Sequence, residues 1–368
     1  MNEKTDLLSL LPDELTSLIT APPYSQPAYR AGQIFAWLHR GAAISEMSNL
    51  PRSLRELLDE NCILKTPAVE RKLVSAIDGT IKYLFRLHDG NFIEAVYMKY
   101  EHGNTLCVSS QVGCRMGCRF CASTKAGRIR DLSASEMVGE IIAAEQDTGT
   151  RISNVVMMGI GEPLDNFTET VRFLRLISAP DGLNIGLRHV SVSTCGIVPK
   201  IRELSELDLP VTLSISLHSA DDESRSAIMP INNAYAVSEL LDACRDWFLR
   251  TGRRISFEYT LISGKNDSQK TARQLADVLR RHMRDGKRPL PLHVNLIPLN
   301  DVEGTGMRRS NREAVAAFRD TLTSAGITAT VRRRLGPDIN AACGQLRIST
   351  TEQSQQEVIK CSTPHEPT

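Results

Sequence analysis

No run in this chain approaches the roughly 20 consecutive apolar residues that span a bilayer, so a helical membrane anchor is not expected. The opening Met-Asn-Glu-Lys-Thr-Asp has no basic stretch followed by an apolar one, so a secretory leader is not expected either. A surplus of one charge is also missing. Lys and Arg number 44 against 43 Asp and Glu, a net charge of +1, so the whole-molecule field does not advertise a polyanionic partner. Local surpluses exist at Arg280, Arg281, Arg284, Lys287 and Arg288, and at Arg332, Arg333 and Arg334. The ordinary reading of either is a solvated face. Cysteine is sparse and odd in number, nine in 368 residues, which argues against a disulfide scaffold. Unpaired thiols without an export signal point to a reducing cytoplasm.

What is present is a cluster. Cys114, Cys118 and Cys121 stand in Gly113-Cys-Arg-Met-Gly-Cys-Arg-Phe-Cys-Ala122, spaced C-x3-C-x2-C, and no fourth cysteine follows within twenty residues. A zinc site would want a second pair or histidines at matching spacing. A cubane that only carries electrons takes four thiolates. Three thiolates leave one iron without a protein ligand, open to an amine and a carboxylate. S-adenosylmethionine (SAM) offers both, so the spacing points to one 4Fe–4S cluster and radical chemistry on SAM.

The chain alternates around this motif. Residues 1–65 read as helical, with Ile34, Phe35, Trp37 and Leu38, then Leu54, Leu57 and Leu58, at helical spacing. Residues 66–100 read as short strands, with Asp89-Gly90 as a hairpin signal between Tyr83–Leu87 and Phe92–Val96. From 101 to 348, six strands are expected at Thr105–Ser109, Asn154–Met158, Arg188–Ser193, Val211–Ser216, Ile255–Leu261 and Leu292–Ile297. Helical stretches follow them, such as Ala134–Gln146, opened by a Ser133/Glu136 capping box, Val237–Leu249, Gln269–Met283 and Asn311–Ala325. Six strand–helix units imply an α/β fold with a parallel sheet, too few for the closed eight-unit barrel. The expected architecture is a partly open six-unit (βα) barrel with a helical N-terminal domain, a short β extension and a polar tail over 349–368. Active sites of such folds gather at the carboxyl ends of the strands. The cysteine loop, Gly159-Ile-Gly-Glu-Pro163, Ser193-Thr-Cys-Gly196, Ser216-Leu-His218 and Pro298-Leu-Asn300 all fall there.

Two further cysteines have suggestive settings, Cys107 at the end of the first strand and Cys343 among small residues. Alone, each is more often a small buried hydrophobe. The stretches Leu106-Cys-Val-Ser-Ser-Gln-Val-Gly-Cys-Arg-Met-Gly-Cys-Arg-Phe-Cys121, Gly161-Glu-Pro-Leu164, Ser216-Leu-His218, Val294-Asn-Leu-Ile-Pro298 and Asp338-Ile-Asn-Ala-Ala-Cys-Gly-Gln-Leu346 resemble the RlmN/Cfr family, radical SAM methyltransferases acting on adenine in RNA. Phe35-Ala-Trp-Leu-His39 and Met47-Ser-Asn-Leu-Pro51 resemble its accessory domain, which assists RNA binding. Gly161-Glu162-Pro163 is more similar to the RlmN branch, which modifies carbon 2, than to the Cfr branch, which modifies carbon 8. Pro337 and Asn340 depart from the acidic residues the family often carries there.

The resemblance implies a ping-pong reaction. Cys343 takes a methyl from one SAM, and a second SAM on the open iron supplies the radical, two SAM per turnover. Carbon 2 of adenine is electron-poor and cannot attack a sulfonium as a nucleophile, which is why a radical route is needed. Cys107 is then the residue that releases the product, leaving a transient Cys107–Cys343 disulfide. Glu94 is implied as the base for the ring proton, with Cys107 as a competing acceptor. Read without the family, Glu94 is a surface glutamate on an amphipathic strand. Gly161, Glu162, Ser193, Ser216, Leu217, His218 and Asn300 match the family's SAM contacts. The implied partners are 23S rRNA and tRNA, an electron donor and a disulfide reductant, with the chain expected to act as a monomer.

Overall fold

The computed structural model describes residues 4–125, 127–300 and 306–339. Among them the dominant element is a ten-stranded sheet whose strands lie side by side in chain order. They are β1 (Ala68–Val74), β2 (Ile81–Arg86), β3 (Phe92–Tyr100), β4 (Gly103–Cys107), β5 (Asn154–Met157), β6 (Val190–Thr194), β7 (Thr212–Ser216), β8 (Ile255–Leu261), β9 (Leu292–Pro298) and β10 (Thr328–Val331). The pairs from β1 to β4 are antiparallel. Those from β4 to β10 are parallel. The six expected strands are β4 to β9. A seventh parallel strand, β10, follows them, and a strand precedes the expected hairpin. The sheet does not close among the described residues, since β1 and β10 are its edges.

Alternate positions along the parallel strands separate by chemistry. Val190, Val192, Leu213, Ile215, Ile255, Phe257, Val294 and Leu296 are fully buried in the core shared with the helices. Their neighbours, which point the other way, are polar. Ser216, Glu258, Asn295 and Thr330 pair in one row across four strands. Ser214, Ser256, His293 and Thr328 form the next row down. The concave side of the sheet is therefore hydrogen-bonding, and the convex side is greasy and covered by helices.

The helices of the described chain include α1 (Pro12–Thr20), α2 (Tyr29–Leu38), α3 (Arg52–Asn61), α4 (Ala134–Thr148), α5 (Phe167–Ser178), α6 (Val198–Ser205), α7 (Asp222–Ile228), α8 (Val237–Thr251), α9 (Gln269–His282) and α10 (Arg312–Ser324). The Ser133/Glu136 capping box opens α4. The Asp89-Gly90 turn joins β2 to β3 through a hydrogen bond from Leu87 N–H to Asn91 O of 2.8 Å. The N-terminal helices share one continuous apolar core with the rest. Arg172 of α5 clasps Glu14 of α1 and the carbonyl of Ser9.

Candidate active site

The cysteine loop leaves β4 and is pinned at several points. A two-strand ribbon, Gln111–Gly113 with Arg128–Asp131, brackets it. Gly113 has φ +82, and a side chain there would lie 1.9 Å from the Gly127 carbonyl, so only glycine closes this ribbon. Inside it, Cys114 N–H donates to Gly127 O at 3.1 Å and Arg119 N–H to Ile228 O at 2.9 Å. The Phe120 ring stands edge-on to His218, with centroids 4.8 Å apart. Met116, Cys118 and Phe120 pack against Ile228, Met229 and Ile262, a dry wall behind the thiols.

Burial pushes the Cys114 thiol up to about 12, helped by nearby Glu162 and Cys121. Burial also raises the Cys118 thiol, and then the neighbouring Cys121 and Cys114 raise it further. Three soft thiols crowded enough to disfavour one another's ionisation are well suited to a polynuclear cationic centre, which relieves that repulsion on binding. Among the described residues no three His, Cys, Asp or Glu side chains converge on one ion position. A cubane does not ask for such convergence, because each thiolate takes a different iron. The donor set fits an iron–sulfur cluster held by Cys114, Cys118 and Cys121.

The three thiols line a cavity of about 210 Å³ whose other walls are the carboxyl ends of the strands. Beyond β5 come Met158, Gly159, Gly161 and Glu162; β6 and the residue after it give Ser193, Thr194 and Cys195. From β7 and beyond come Ser216 and His218, from β8 Glu258 and Thr260, from β9 Ile297, and after β10 Arg332. Gly161, at φ +115, lets the chain pass so close that a side chain would sit 2.7 Å from the Gln111 nitrogen. Glu162 is buried, which raises its pKa. Its carboxyl accepts the Cys195 N–H at 2.7 Å and the Leu164 N–H at 3.1 Å. His218, at φ +56, is held by a hydrogen bond from Thr260 N–H to its Nδ1, 2.9 Å long. That bond places the ring proton on Nε2. Burial, with Arg225 nearby, pulls its pKa down to about 3, so the ring is neutral.

Of the SAM-contact residues expected from sequence, Gly161, Glu162, Ser193, Ser216 and His218 therefore share one wall with the cluster cysteines. Leu217 points into the apolar core, and only its backbone, with N–H to Glu258 O at 3.1 Å, belongs to the strand end. Asn300 is exposed and does not line the cavity. Cys107 is buried one layer away with Val96 and Met98, and Met158 packs on that group while also lining the cavity. Glu94 is not a surface residue. It is 2% exposed, on the cavity side of β3, paired with Lys82 of β2 at 3.1 Å. Cys343 lies outside the described residues. The chain ahead of it is fastened to the β1–β2 turn. Asp338 accepts from Ser75 Oγ at 2.7 Å and Ala76 N–H at 2.9 Å, and Asp78 accepts from Gly336 N–H at 2.9 Å.

Residues 108–276 match the family model described as the radical SAM superfamily. A protein of Alkaliphilus oremlandii named probable dual-specificity RNA methyltransferase RlmN is 50% identical over 346 residues, 94% of this chain and 98% of that one. Its namesake in Clostridium novyi is 48% identical over 325 residues, 88% and 92% of the two chains. The chain belongs to the RlmN family of radical SAM methyltransferases. The crystal structure of a radical SAM methyltransferase from Sphaerobacter thermophilus matches this RlmN-family fold with a TM-score of 0.86 at 42% identity, covering 93% of this chain and 98% of that one. Membership implies a 4Fe–4S cluster and SAM, in agreement with the donor set above. No helix among the described residues is long and apolar enough to cross a membrane.

Sequence reasoning missed several residues of this RlmN-family site. Arg225 is fully buried and donates to the carbonyls of Cys195, Ser216 and Leu217 and to Asn232 Oδ1. It staples the ends of β6 and β7 together. Glu258 is a second cavity carboxylate, held by Ser256 Oγ at 2.9 Å and Asn295 Nδ2 at 2.7 Å. Lys82 is the third. The basic runs also separate. Arg332 reaches the cavity, whereas Arg284, Lys287 and Arg288 form an exposed ribbon just before β9, at the amino end of the strands.

Proposed function

We propose that this chain methylates carbon 2 of adenine in 23S rRNA and in tRNA. It does so through methylated Cys343 and a transient Cys107–Cys343 disulfide, acting as a monomer in the cytoplasm. The observation that carries the reading is the placement of Glu94 and Cys107. Both are buried on the face of the sheet that the cavity occupies, and Cys107 packs with Met158, which lines the cavity together with the three cysteines and Glu162. Near-full-length relatives named as RlmN dual-specificity RNA methyltransferases support carbon 2 over carbon 8.

Glu162 is arranged to receive the methionyl amine, since burial and two backbone donors hold its carboxyl in one place. Ser193 and Ser216 offer hydroxyls to the same ligand. Neutral His218 offers Nε2–H without adding charge. A cluster held by Cys114, Cys118 and Cys121, with SAM bound beside Glu162, would supply the one-electron chemistry that activating a methyl group requires. Cys343 presents that methyl. Once its carbon is joined to the ring, Glu94 takes the ring proton. The Cys107 thiolate then attacks the Cys343 sulfur. The carbon–sulfur bond breaks, its electron pair passes to the carbon, and a proton from solvent completes the methyl group. The resulting disulfide needs two electrons and two protons from a thiol reductant to reopen. A separate one-electron donor must reduce the cluster.

The test is a nucleoside digest of RNA from cells lacking this chain and from complemented cells. 2-Methyladenosine is expected only in the complemented cells, and 8-methyladenosine in neither. Equal 2-methyladenosine in both, with no other enzyme making it, rules the proposal out. Cys343→Ala is expected to abolish methylation, and Cys107→Ala to accumulate a protein–RNA adduct.

A further inference from the structure

The ion pair between Lys82 and Glu94 has no part in the steps above. Strand register places Lys82 opposite Val96, and Val96 opposite Cys107, so the lysine, the glutamate and the thiol share the cavity side of the sheet. Lys82 Nζ lies 3.1 Å from Glu94 Oε2, with the two side chains 1% and 2% exposed. Lysine is almost never buried so deeply unless its charge is matched. Here the match is the residue assigned the ring proton. The backbone of Glu94 is fixed as well. Ser109 Oγ donates to its carbonyl at 2.7 Å and accepts the Ile160 N–H at 3.0 Å, which ties Glu94 to the strand end that carries Gly161 and Glu162.

We propose that Lys82 is a positioning residue for the product-release half of the reaction: its ammonium fixes the Glu94 carboxylate on the face it shares with Cys107. An uncharged residue there would remove the 3.1 Å ionic contact that holds Glu94 Oε2 on this face. This rests on the reading of Glu94 as the base, and the experiment separates the two.

The full chain is reconstituted with cluster, given SAM, a one-electron reductant and a transcribed 23S rRNA fragment, and followed by three readouts. These are methyl on Cys343 by intact mass, 5′-deoxyadenosine formed, and lifetime of the protein–RNA adduct on denaturing gels. Lys82→Met is expected to keep the first two within about twofold of wild type while the adduct persists about 100-fold longer, the low end of what a lost general base covers. Glu94→Gln is expected to show the same pattern, and the double variant to be no worse than Glu94→Gln alone. If Lys82→Met does not fold, Lys82→Gln, which keeps a donor in a similar volume, is judged by the same criteria. Adduct turnover at the wild-type rate in the lysine variant, with Glu94→Gln impaired, overturns the role of Lys82 alone. A parallel fall in all three readouts overturns it too, since a merely structural pair would move every step. Wild-type turnover in Glu94→Gln overturns the underlying assignment of the base.

Discussion

Replacing Arg225 by methionine tests whether the strand ends that wall the cavity depend on one buried cation. The side chain is 0% exposed and makes four hydrogen bonds: to Cys195 O at 2.7 Å, Leu217 O at 3.0 Å, Ser216 O at 3.1 Å and Asn232 Oδ1 at 3.1 Å. Hydrogen bonds to a charged group contribute about 1.5–3 kcal/mol each. Against them stands the desolvation of the guanidinium, several kcal/mol, which methionine does not incur. Of the acceptors left behind, the carbonyls of Cys195 and Leu217 belong to buried residues, while Ser216 is half-buried at the cavity. The net expectation is a loss of about 3 kcal/mol. At about 2.1 cal/mol/K per residue, a chain of 368 residues has an unfolding entropy near 0.8 kcal/mol/K, so the midpoint should fall by about 4 °C. Differential scanning calorimetry under anaerobic conditions measures it. SAM affinity should fall too, because Cys195 and Ser216 are wall residues whose carbonyls would relax. A midpoint within about 1 °C of wild type, with SAM affinity intact, would refute the staple.

His39 gives the chain an acid sensitivity that one substitution should remove. Burial lowers its pKa to about 4, so the unfolded chain takes up a proton near pH 6.5 that the folded chain refuses, and stability is lost as pH falls from about 6.5 to about 4. Between pH 7.5 and 5, wild type should lose roughly 2 kcal/mol more than His39→Phe in denaturant unfolding, and parallel pH profiles would exclude this. Asp338→Ala releases the chain five residues ahead of Cys343 from the β1–β2 turn. Methyl transfer to Cys343, followed by intact mass, should slow by about threefold or more with an unchanged unfolding midpoint, and equal rates would exclude a positioning role for the clasp.

Much of the frame was legible because two strong signals agree. The apolar half of each parallel strand packs against helices, so Val190, Leu213, Ile255 and Val294 announce their strands. Polar motifs at the ends of those strands then announce where the site lies. The C-x3-C-x2-C spacing was legible for a different reason: its chemistry resides in the spacing itself and needs no fold to interpret. Strand β10 was hidden because Thr328–Val331 is four residues long and half exposed, too short for alternation to register.

Glu258 was missed, and Glu94 was reached only through the family resemblance, for one physical cause. In an amphipathic strand, the polar face is ordinarily the wet one, and by that rule Glu94, Ser214, Ser256 and Glu258 all read as surface residues. In a sheet that curls, the polar face becomes the inside, and the rule inverts: all four are buried, at 2%, 2%, 8% and 4% exposure. Nothing in a single strand reveals which way the sheet will curl. The row Ser216, Glu258, Asn295 and Thr330 becomes informative only once pairing sets the four residues at one height, because four adjacent strands that each spend a polar residue at the same level are lining something. Lys82 and Arg225 go further. Each is a cation whose placement makes sense only through partners distant in sequence: the carbonyls of Cys195 and Ser216 for one, the carboxylate of Glu94 for the other. Local pattern cannot find such residues, whereas an ionisable group buried beside a catalytic wall can be recognised on burial alone, since the cost of desolvating it must be met by a partner or a task.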